Sequence, residues 1–246
     1  MTKKVEYILN TPVDYLTMTD IKRDLSWYFD HHQKMVLASI NPQIILISEK
    51  NKCVKSFIEH ATHRFADGIG VVKMSQWTNG RIKERVAGID VMASVLEFCH
   101  ENKKSIFLYG AKPKVVAQAA RNIQKDYSNI RVSGWLDGYD KKSSGEIIDI
   151  INQHHADVLF VALGSPKQEE WLQRYMPQLN PTIFQTVGGS FDVYSGEVKR
   201  APEVFIKTNL EWLYRSVSNP KRFNRIFQVP LFVTKGLVWH LKQSKQ

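Results

Sequence analysis

One acidic side chain of the sequence, Asp67, lies in a setting that suits acid–base chemistry. It follows the apolar Phe65 and the small Ala66, and it precedes a Gly68-Ile-Gly70 segment. Two interpretations of this carboxylate stay open at this point. It could cap the helical run that follows, or it could act as a general base toward a substrate hydroxyl.

Glycines that follow short apolar runs indicate a ligand-binding edge. Glycine after a strand lets the backbone approach a ligand closely, and the N–H groups of a following helix can bind phosphate. We therefore predict a nucleotide or another phosphorylated ligand, although the sequence has neither a dinucleotide fingerprint nor a Walker segment. The glycines concerned are Gly110, Gly164, Gly188 and Gly189.

Gln168 and Asp192 each have a structural explanation beside a functional one. Ser165, with Gln168 three residues later, has the pattern of a capping box, and Pro166 would then occupy the first helical position. Asp192 could be a turn residue or a helix cap. Structure and ligand binding therefore explain Gln168 equally well at this stage.

The sequence favours a site without a metal or a cofactor. The adjacent pairs His31-His32 and His154-His155 direct their side chains apart. The sequence also lacks an Asp-x-Asp segment, which often anchors Mg²⁺ or Mn²⁺. We therefore expect Arg85, other basic side chains and backbone N–H groups to stabilise a diphosphate leaving group.

Alternating strand and helix patterns predict the fold that would bring these residues together. Apolar runs that end in Gly, Pro, Asn or Ser predict buried strands over residues 35–39, 105–109, 131–135, 158–163 and 183–187. Helices are predicted over residues 88–101, 113–125, 143–153 and 165–174. This alternation indicates an α/β, Rossmann-like fold. Its mostly parallel sheet is covered by helices on both faces and binds ligands at the carboxyl ends of its strands.

The last part of the chain has a different character. The 246 residues carry a formal net charge of +10, and residues 199–246, with ten Lys or Arg and two Glu, contribute +8 of it. Helices punctuated by Pro220 and Pro230 are predicted here, without a further strand. We therefore expect an α/β catalytic core over residues 1–195 and a basic helical C-terminal appendage over residues 196–246. The charge predicts an anionic partner, such as a nucleic acid, a phospholipid or a diphosphate.

The cysteines and the apolar runs predict a cytosolic protein. Cys53 and Cys99 are far apart and form no Cys-x-x-Cys motif, so we expect reduced thiols. The N-terminal residues lack the pattern of a signal peptide, and no apolar run reaches the roughly 18 residues of a membrane-spanning helix.

Seven segments, taken together, resemble the WecG/TagA/CpsF glycosyltransferases, also called glycosyltransferase family 26, and look closest to its TagA/TarA branch. They cover most of residues 35–225 in the order found in the family, and they are specific as a set, although each alone is not. The segments are ADGIGVV (66–72), ERVAGIDVM (84–92), FLYGAKP (107–113), GWLDGY (134–139), LFVALGSPKQEEW (159–171), VGGSFDVYSGEVKRAP (187–202) and LEWLYR (210–215).

The resemblance implies a reaction and its partners. N-acetylmannosamine would move, with inversion, from UDP-N-acetylmannosamine (UDP-ManNAc) to the C4 hydroxyl of undecaprenyl-diphosphate-GlcNAc, in synthesis of the wall teichoic acid linkage unit. Asp67 would deprotonate that hydroxyl. The enzyme would be cytoplasmic and peripheral at the inner face of the plasma membrane, bound to an anionic surface and not to nucleic acid. The family includes oligomers, so a homo-oligomer stays open.

The resemblance also assigns further residues to the site. Ser39 and Asn41 match a Thr-x-Asn segment of the family, and serine keeps the hydroxyl that can bind the sugar. The Glu that follows in the family is Gln43 here, so we expect no ionic role at that position. Other matches are Arg85 and Gln168 in the pocket, Asp192 near the nucleoside, and Arg215, Arg222 and Arg225 folding from the appendage onto the diphosphate.

The tail of the sequence has a mechanistic interpretation within this family. Aromatic and aliphatic residues alternate with Lys and Arg, a pattern that can lie in a membrane interface and bind anionic lipid. We hypothesise that membrane contact docks the appendage and completes the site. The apolar residues are Phe223, Ile226, Phe227, Leu231, Phe232 and Trp239.

Two alternatives remain at the level of sequence. The protein could be a member of the same family that uses another donor, such as UDP-ManNAcA or UDP-glucose. It could also be a non-catalytic nucleic-acid-binding protein, as its basic aromatic tail suggests, although this leaves the glycine-rich segments unexplained. Steeply salt-dependent binding to DNA or RNA would distinguish the second alternative.

Overall fold

A six-stranded parallel sheet is the centre of the computed structural model, which describes residues 5–217 and 226–243. Its strand order is β4-β3-β8-β7-β5-β6, and a separate antiparallel hairpin is formed by β1 and β2. The strands are β1 (Val5–Ile8), β2 (Thr11–Asp14), β3 (Met35–Ile40), β4 (His63–Ala66), β5 (Ser105–Gly110), β6 (Arg131–Leu136), β7 (Val158–Ala162) and β8 (Ile183–Thr186).

Helices cover both faces of the sheet, as predicted. They are α1 (Met18–Asp30), α2 (Pro42–Ser48), α3 (Lys52–His60), α4 (Ile69–Trp77), α5 (Gly88–Glu101), α6 (Pro113–Asp126), α7 (Ser144–Gln153), α8 (Lys167–Tyr175), α9 (Ser190–Tyr194), α10 (Glu203–Lys207), α11 (Glu211–Val217) and α12 (Gln228–Gln243). Successive side chains of a strand point to opposite faces of the sheet, and a separate hydrophobic core lies on each face. Val158 and Phe160 pack with α1, α5 and α6, whereas Leu159 and Val161 pack with α2, α3, α7 and α8. The predicted fold class is therefore confirmed.

The five predicted strands are confirmed, with ends that differ by at most one residue. The prediction missed β4, although all four of its residues are buried. Arg64 is buried because its Nη2 donates to Asp14 Oδ1 at 2.7 Å, and His63 Nε2 lies 3.2 Å from Asp24 Oδ2. A search for apolar runs misses this strand because two of its four buried residues are polar or charged. Ion pairs and hydrogen bonds make the burial of these two residues possible.

Two predicted helix starts need correction. Ser165 and Gln168 form no capping box, because Pro166 is the N-cap residue of α8 and the cap has no side-chain hydrogen bond. Both side chains donate instead to Glu169 Oε1, at 3.0 and 2.7 Å. Asp67 caps no helix either, since the N-cap residue of α4 is Gly68.

The C-terminal helices pack onto the rest of the chain. Phe232 of α12 is fully buried and belongs to the same core as α2 and α4. Pro230 lies in the first turn of α12 and does not punctuate the helices there, since a proline is tolerated in that turn. Pro220 lies outside the described residues. Of the helices within 5–217 and 226–243, none is long and apolar enough to span a bilayer. The division into core and appendage stays a prediction.

Candidate active site

A cavity of about 290 Å³ lies at the carboxyl ends of four neighbouring strands. Strands β3 and β8 are adjacent, with β4 and β7 on either side of them. Open α/β sheets bind ligands at this edge. The predicted site residues that line the cavity are Ser39, Asn41, Asp67, Arg85, Gly164, Gln168, Gly188 and Gly189.

Several helices begin at this cavity without a side-chain cap. The N-cap residues of α4, α5 and α8 are Gly68, Ala87 and Pro166, and none of these caps has a side-chain hydrogen bond. Gly68 has φ +148°, a conformation that favours glycine. The first N–H groups of a helix lack partners within the helix and carry partial positive charge. This wall of the cavity therefore suits an anionic ligand such as a diphosphate.

Asp67 lies beside Ser39 because their strands are paired in parallel register, with Ser39 opposite Phe65 and Ile40 opposite Ala66. The Ser39 hydroxyl donates to Asp67 Oδ2 at 2.6 Å. The Asp67 side chain keeps 24% of its surface exposed. One carboxylate oxygen is thus held by serine, and the other is available to a ligand in the cavity.

Gly88, the first residue of α5, explains how closely that helix approaches Asp67. A Cβ atom at Gly88 would lie 3.0 Å from Asp67 Oδ2 and 3.6 Å from Ser39 Oγ. A side chain there would crowd the hydrogen bond between these two residues. The glycine therefore brings the positive end of α5 next to the carboxylate.

Arg85 connects Asp67 to the C-terminal part of the chain. Its Nη2 donates to Glu211 Oε2 at 2.9 Å and lies 3.9 Å from Asp67 Oδ1. Glu211 Oε1 is 3.9 Å from Nε of Arg200, whose Nη2 lies 2.7 Å from Asp90 Oδ1. The sequence prediction missed Glu211. The signal that could have found it is an isolated acid within a strongly basic segment.

Gln168 links the ends of β7 and β8. Its Nε2 donates to Glu169 Oε1 at 2.7 Å, and its Oε1 accepts from the backbone N–H of Gly188 at 3.2 Å. Glu169, which the prediction also missed, is only 3% exposed. Burial raises the pKa of the Glu169 carboxyl, and its Oε2 has no hydrogen-bond partner within the described part of the chain. These contacts fix the orientation of the Gln168 amide.

The remaining predicted residues occupy different places. Asn41 is the N-cap residue of α2, where its Oδ1 accepts from the N–H of Ile44 at 3.1 Å. Gly110 does not line the cavity, and a Cβ there would lie 2.4 Å from the carbonyl group of Ala162. Asp192 lies inside α9, so it is neither a turn residue nor a cap, and it does not line the cavity.

The three appendage arginines are only partly within the described structure. Arg215 lies on α11, whereas Arg222 and Arg225 lie outside the described residues. Within residues 5–217 and 226–243, no three His, Cys, Asp or Glu side chains converge as metal ligands would.

The parallel sheet and the cavity at the carboxyl ends of its strands define a Rossmann-like α/β protein with a candidate ligand site at that edge. The chain belongs to the glycosyl transferase WecG/TagA/CpsF family, whose family model matches residues 6–246. The protein is therefore a glycosyltransferase, and the interpretation as a non-catalytic nucleic-acid-binding protein is not supported.

Two relatives from different genera illustrate the similarity, and both are named N-acetylglucosaminyldiphosphoundecaprenol N-acetyl-beta-D-mannosaminyltransferase. The relative from Bacillus subtilis (strain 168) is 38% identical over 205 residues, which cover 83% of this chain and 80% of the relative. The relative from Staphylococcus aureus (strain MW2) is 33% identical over 239 residues, covering 95% and 92% of the two chains.

Proposed function

We propose that the protein transfers N-acetylmannosamine from UDP-ManNAc to the C4 hydroxyl of undecaprenyl-diphosphate-GlcNAc, with inversion, in synthesis of the wall teichoic acid linkage unit. The names and the extensive coverage of the relatives support N-acetylmannosamine as the transferred sugar and GlcNAc-diphosphoundecaprenol as the acceptor. The observation that carries the proposal is Asp67, which projects into a cavity where uncapped helices begin.

Asp67 acts as the general base in this proposal. Its Oδ1 takes the proton of the acceptor hydroxyl, while Ser39 holds Oδ2 at 2.6 Å and fixes the plane of the carboxylate. The acceptor oxygen forms a bond to the anomeric carbon of the donor sugar. The bond from that carbon to the diphosphate oxygen breaks, and UDP leaves from the opposite face.

Positive groups stabilise the departing diphosphate. The starts of α4 and α5 lie at the cavity without a side-chain cap, and Arg85 lines the same cavity. We propose that Arg215, Arg222 and Arg225 add further positive charge from the C-terminal segment. Charge neutralisation by these groups replaces a divalent metal, so transfer should persist in excess EDTA.

One face of α12 suits contact with a membrane. Leu231, Val238 and Leu241 are 51%, 48% and 62% exposed, and their spacing places them along one side of the helix. Phe227, which directly precedes the helix, is 65% exposed. Phe232, which the sequence pattern assigned to the membrane interface, is instead fully buried and anchors the helix to the core. We propose that this apolar stripe, together with the basic residues of the segment, holds the enzyme at the inner face of the plasma membrane.

The direct test is a transfer assay with a panel of donors. Purified protein is incubated with a GlcNAc-diphospholipid acceptor and UDP-ManNAc, UDP-ManNAcA or UDP-glucose, with and without EDTA. We expect a disaccharide product with UDP-ManNAc and turnover that EDTA leaves unchanged. A product with another donor alone would identify a different transferase of the same family. Loss of activity in EDTA that Mg²⁺ restores would contradict the metal-free mechanism.

A further inference from the structure

Arg85 is shared by two carboxylates that come from distant parts of the chain. The same Nη2 atom lies 2.9 Å from Glu211 Oε2 and 3.9 Å from Asp67 Oδ1. Hydrogen bonds between a guanidinium and a carboxylate are about 2.7–2.9 Å long, so only the contact with Glu211 is a full hydrogen bond. Glu211, and not Asp67, therefore holds Arg85 in this structure.

Glu211 is fixed well enough to compete for Arg85. The residue is 3% exposed, and its Oε1 lies 3.9 Å from Arg200 Nε. Arg200 is itself held by Asp90, with Nη2 and Oδ1 2.7 Å apart. A buried carboxylate requires cationic partners, and Glu211 has a hydrogen bond from Arg85 and a longer ion pair with Arg200. The Glu211 carboxylate is therefore a fixed part of the cavity lining.

We infer that Glu211 is a positioning residue that holds Arg85 away from Asp67 and keeps Asp67 Oδ1 open to the acceptor hydroxyl; this rests on the proposed function. Ser39 already donates to Oδ2. If Arg85 moved onto Oδ1, both carboxylate oxygens of Asp67 would accept hydrogen bonds from the protein. Neither oxygen would then be open to the proton of the acceptor hydroxyl. Glu211 prevents this because it offers Arg85 a nearer partner.

Glu211 comes from a different part of the chain than the two residues that it affects. Glu211 belongs to α11, in the C-terminal segment, whereas Asp67 and Arg85 belong to the α/β part. The C-terminal segment therefore contributes a group that determines whether the base is open. Docking of α11 and the state of Asp67 are coupled through one guanidinium.

The test replaces Glu211 with its uncharged isostere, Glu211→Gln, and uses Glu203→Gln as the matched control. Glu203 lies on α10 and pairs with Lys207 at an exposed site. We expect kcat of Glu211→Gln to fall by roughly 10-fold or more, because the blocked base acts in the chemical step, while the donor KM changes by less than about 3-fold. Glu203→Gln should retain the kinetics of the wild type.

Two further measurements separate positioning from a loss of packing. A crystal structure of Glu211→Gln should show the Arg85 guanidinium at about 2.9 Å from Asp67. In an Arg85→Gln background, adding Glu211→Gln should change kcat by less than about 3-fold, because no guanidinium remains to block the base.

Three outcomes would overturn the inference: an unchanged kcat, an Arg85 that stays near its present distance from Asp67, or an equally large loss of kcat in the Arg85→Gln background. The crystallographic measurement does not depend on activity. Suppose that the wild type transferred no sugar, but that the crystal structure of Glu211→Gln showed Arg85 beside Asp67. The proposed function would then fail, while control of Arg85 by Glu211 would stand.

Discussion

The carboxylates of the site have different surroundings, and these explain why only one of them was found from the sequence. Asp67 stands beside glycines at the end of a strand, a local pattern that a single sequence displays. Glu169 follows Gln168 within an ordinary helical stretch, and Glu211 becomes a site residue only when α11 packs beside Arg85. Contacts between distant segments decide the surroundings of Glu211, so the sequence shows it only as an acid within a strongly basic segment and does not show its partner.

Glu169 should make stability depend on pH. Burial raises the pKa of its carboxyl above the ordinary 4.5, so the folded protein keeps a proton that the unfolded chain releases. The free energy of unfolding should therefore decrease as pH rises from about 4.5 through the folded-state pKa. Glu169→Gln removes this dependence, and its gain in Tm over the wild type should be larger at pH 8 than at pH 5.

The control for this measurement is Glu97→Gln, which changes an exposed carboxylate paired with Lys22. Thermal unfolding followed by circular dichroism at both pH values gives the comparison. Equal Tm differences at pH 5 and pH 8 for Glu169→Gln would show that the folded protein binds no additional proton at this site.

At the level of elements, α12 supports the wall of the cavity. Its Phe232 packs against α4, where a Cβ on Gly70 would lie 3.9 Å from the phenylalanine ring. Gly236 allows close packing as well, since a Cβ there would lie 2.4 Å from Cε of Met74. Gly70 and Pro42 line the cavity. The packing of α12 therefore reaches the ligand site through α2 and α4.

Phe232→Ala should destabilise the protein and weaken UDP binding. Removing a fully buried phenylalanine costs about 3–5 kcal/mol, because apolar burial is lost and a cavity remains. The adjacent Leu231→Ala is a matched control, since Leu231 is 51% exposed and should cost less than about 0.5 kcal/mol. Denaturant unfolding and titration with UDP measure both effects. Equal unfolding free energies for the two variants would contradict the anchoring role of Phe232.

Elements that bury apolar side chains were predicted from the sequence. Elements that bury polar or charged side chains, which need hydrogen-bond or ion-pair partners, were missed. The range of α5 was predicted without error, because its apolar residues repeat at helical spacing. The prediction of α8 failed at its start, where Ser165 and Gln168 both donate to Glu169. The hairpin of β1 and β2 was missed as well. Each of its strands has only four residues, and Asp14 is buried there by its ion pair with Arg64.

At the scale of the whole molecule, the proposed function requires the sugar site and the membrane-binding surface to act together. The exposed stripe of α12 lies on the helix whose first residues, Gln228 and Val229, line the cavity. A lipid-linked acceptor would therefore meet the cavity close to the proposed membrane-binding stripe of α12.

The double variant Leu231→Asp/Val238→Asp should lose membrane binding. Burying a leucine or valine side chain contributes about 1.5–3 kcal/mol, so the two changes should weaken binding to phosphatidylglycerol vesicles by more than about 10-fold. Co-sedimentation with vesicles measures this. Turnover of the lipid-linked acceptor should fall, while turnover of a short, water-soluble acceptor analogue should persist.

Tyr139→Asp is the control for this experiment, because Tyr139 is 71% exposed and follows β6, an edge strand of the sheet. Unchanged vesicle binding by the double variant, or an equal loss with Tyr139→Asp, would show that the α12 stripe is not the membrane-binding surface.

The most direct test of the central claim is the kcat of Asp67→Asn with UDP-ManNAc and the GlcNAc-diphospholipid acceptor, together with the affinity for UDP. Asparagine keeps the shape of the side chain and can still accept from Ser39, but it cannot take a proton from the acceptor hydroxyl. We predict a fall in kcat of roughly 10²–10⁴-fold with UDP binding retained. A variant that turns over at the rate of the wild type would show that Asp67 is not the base.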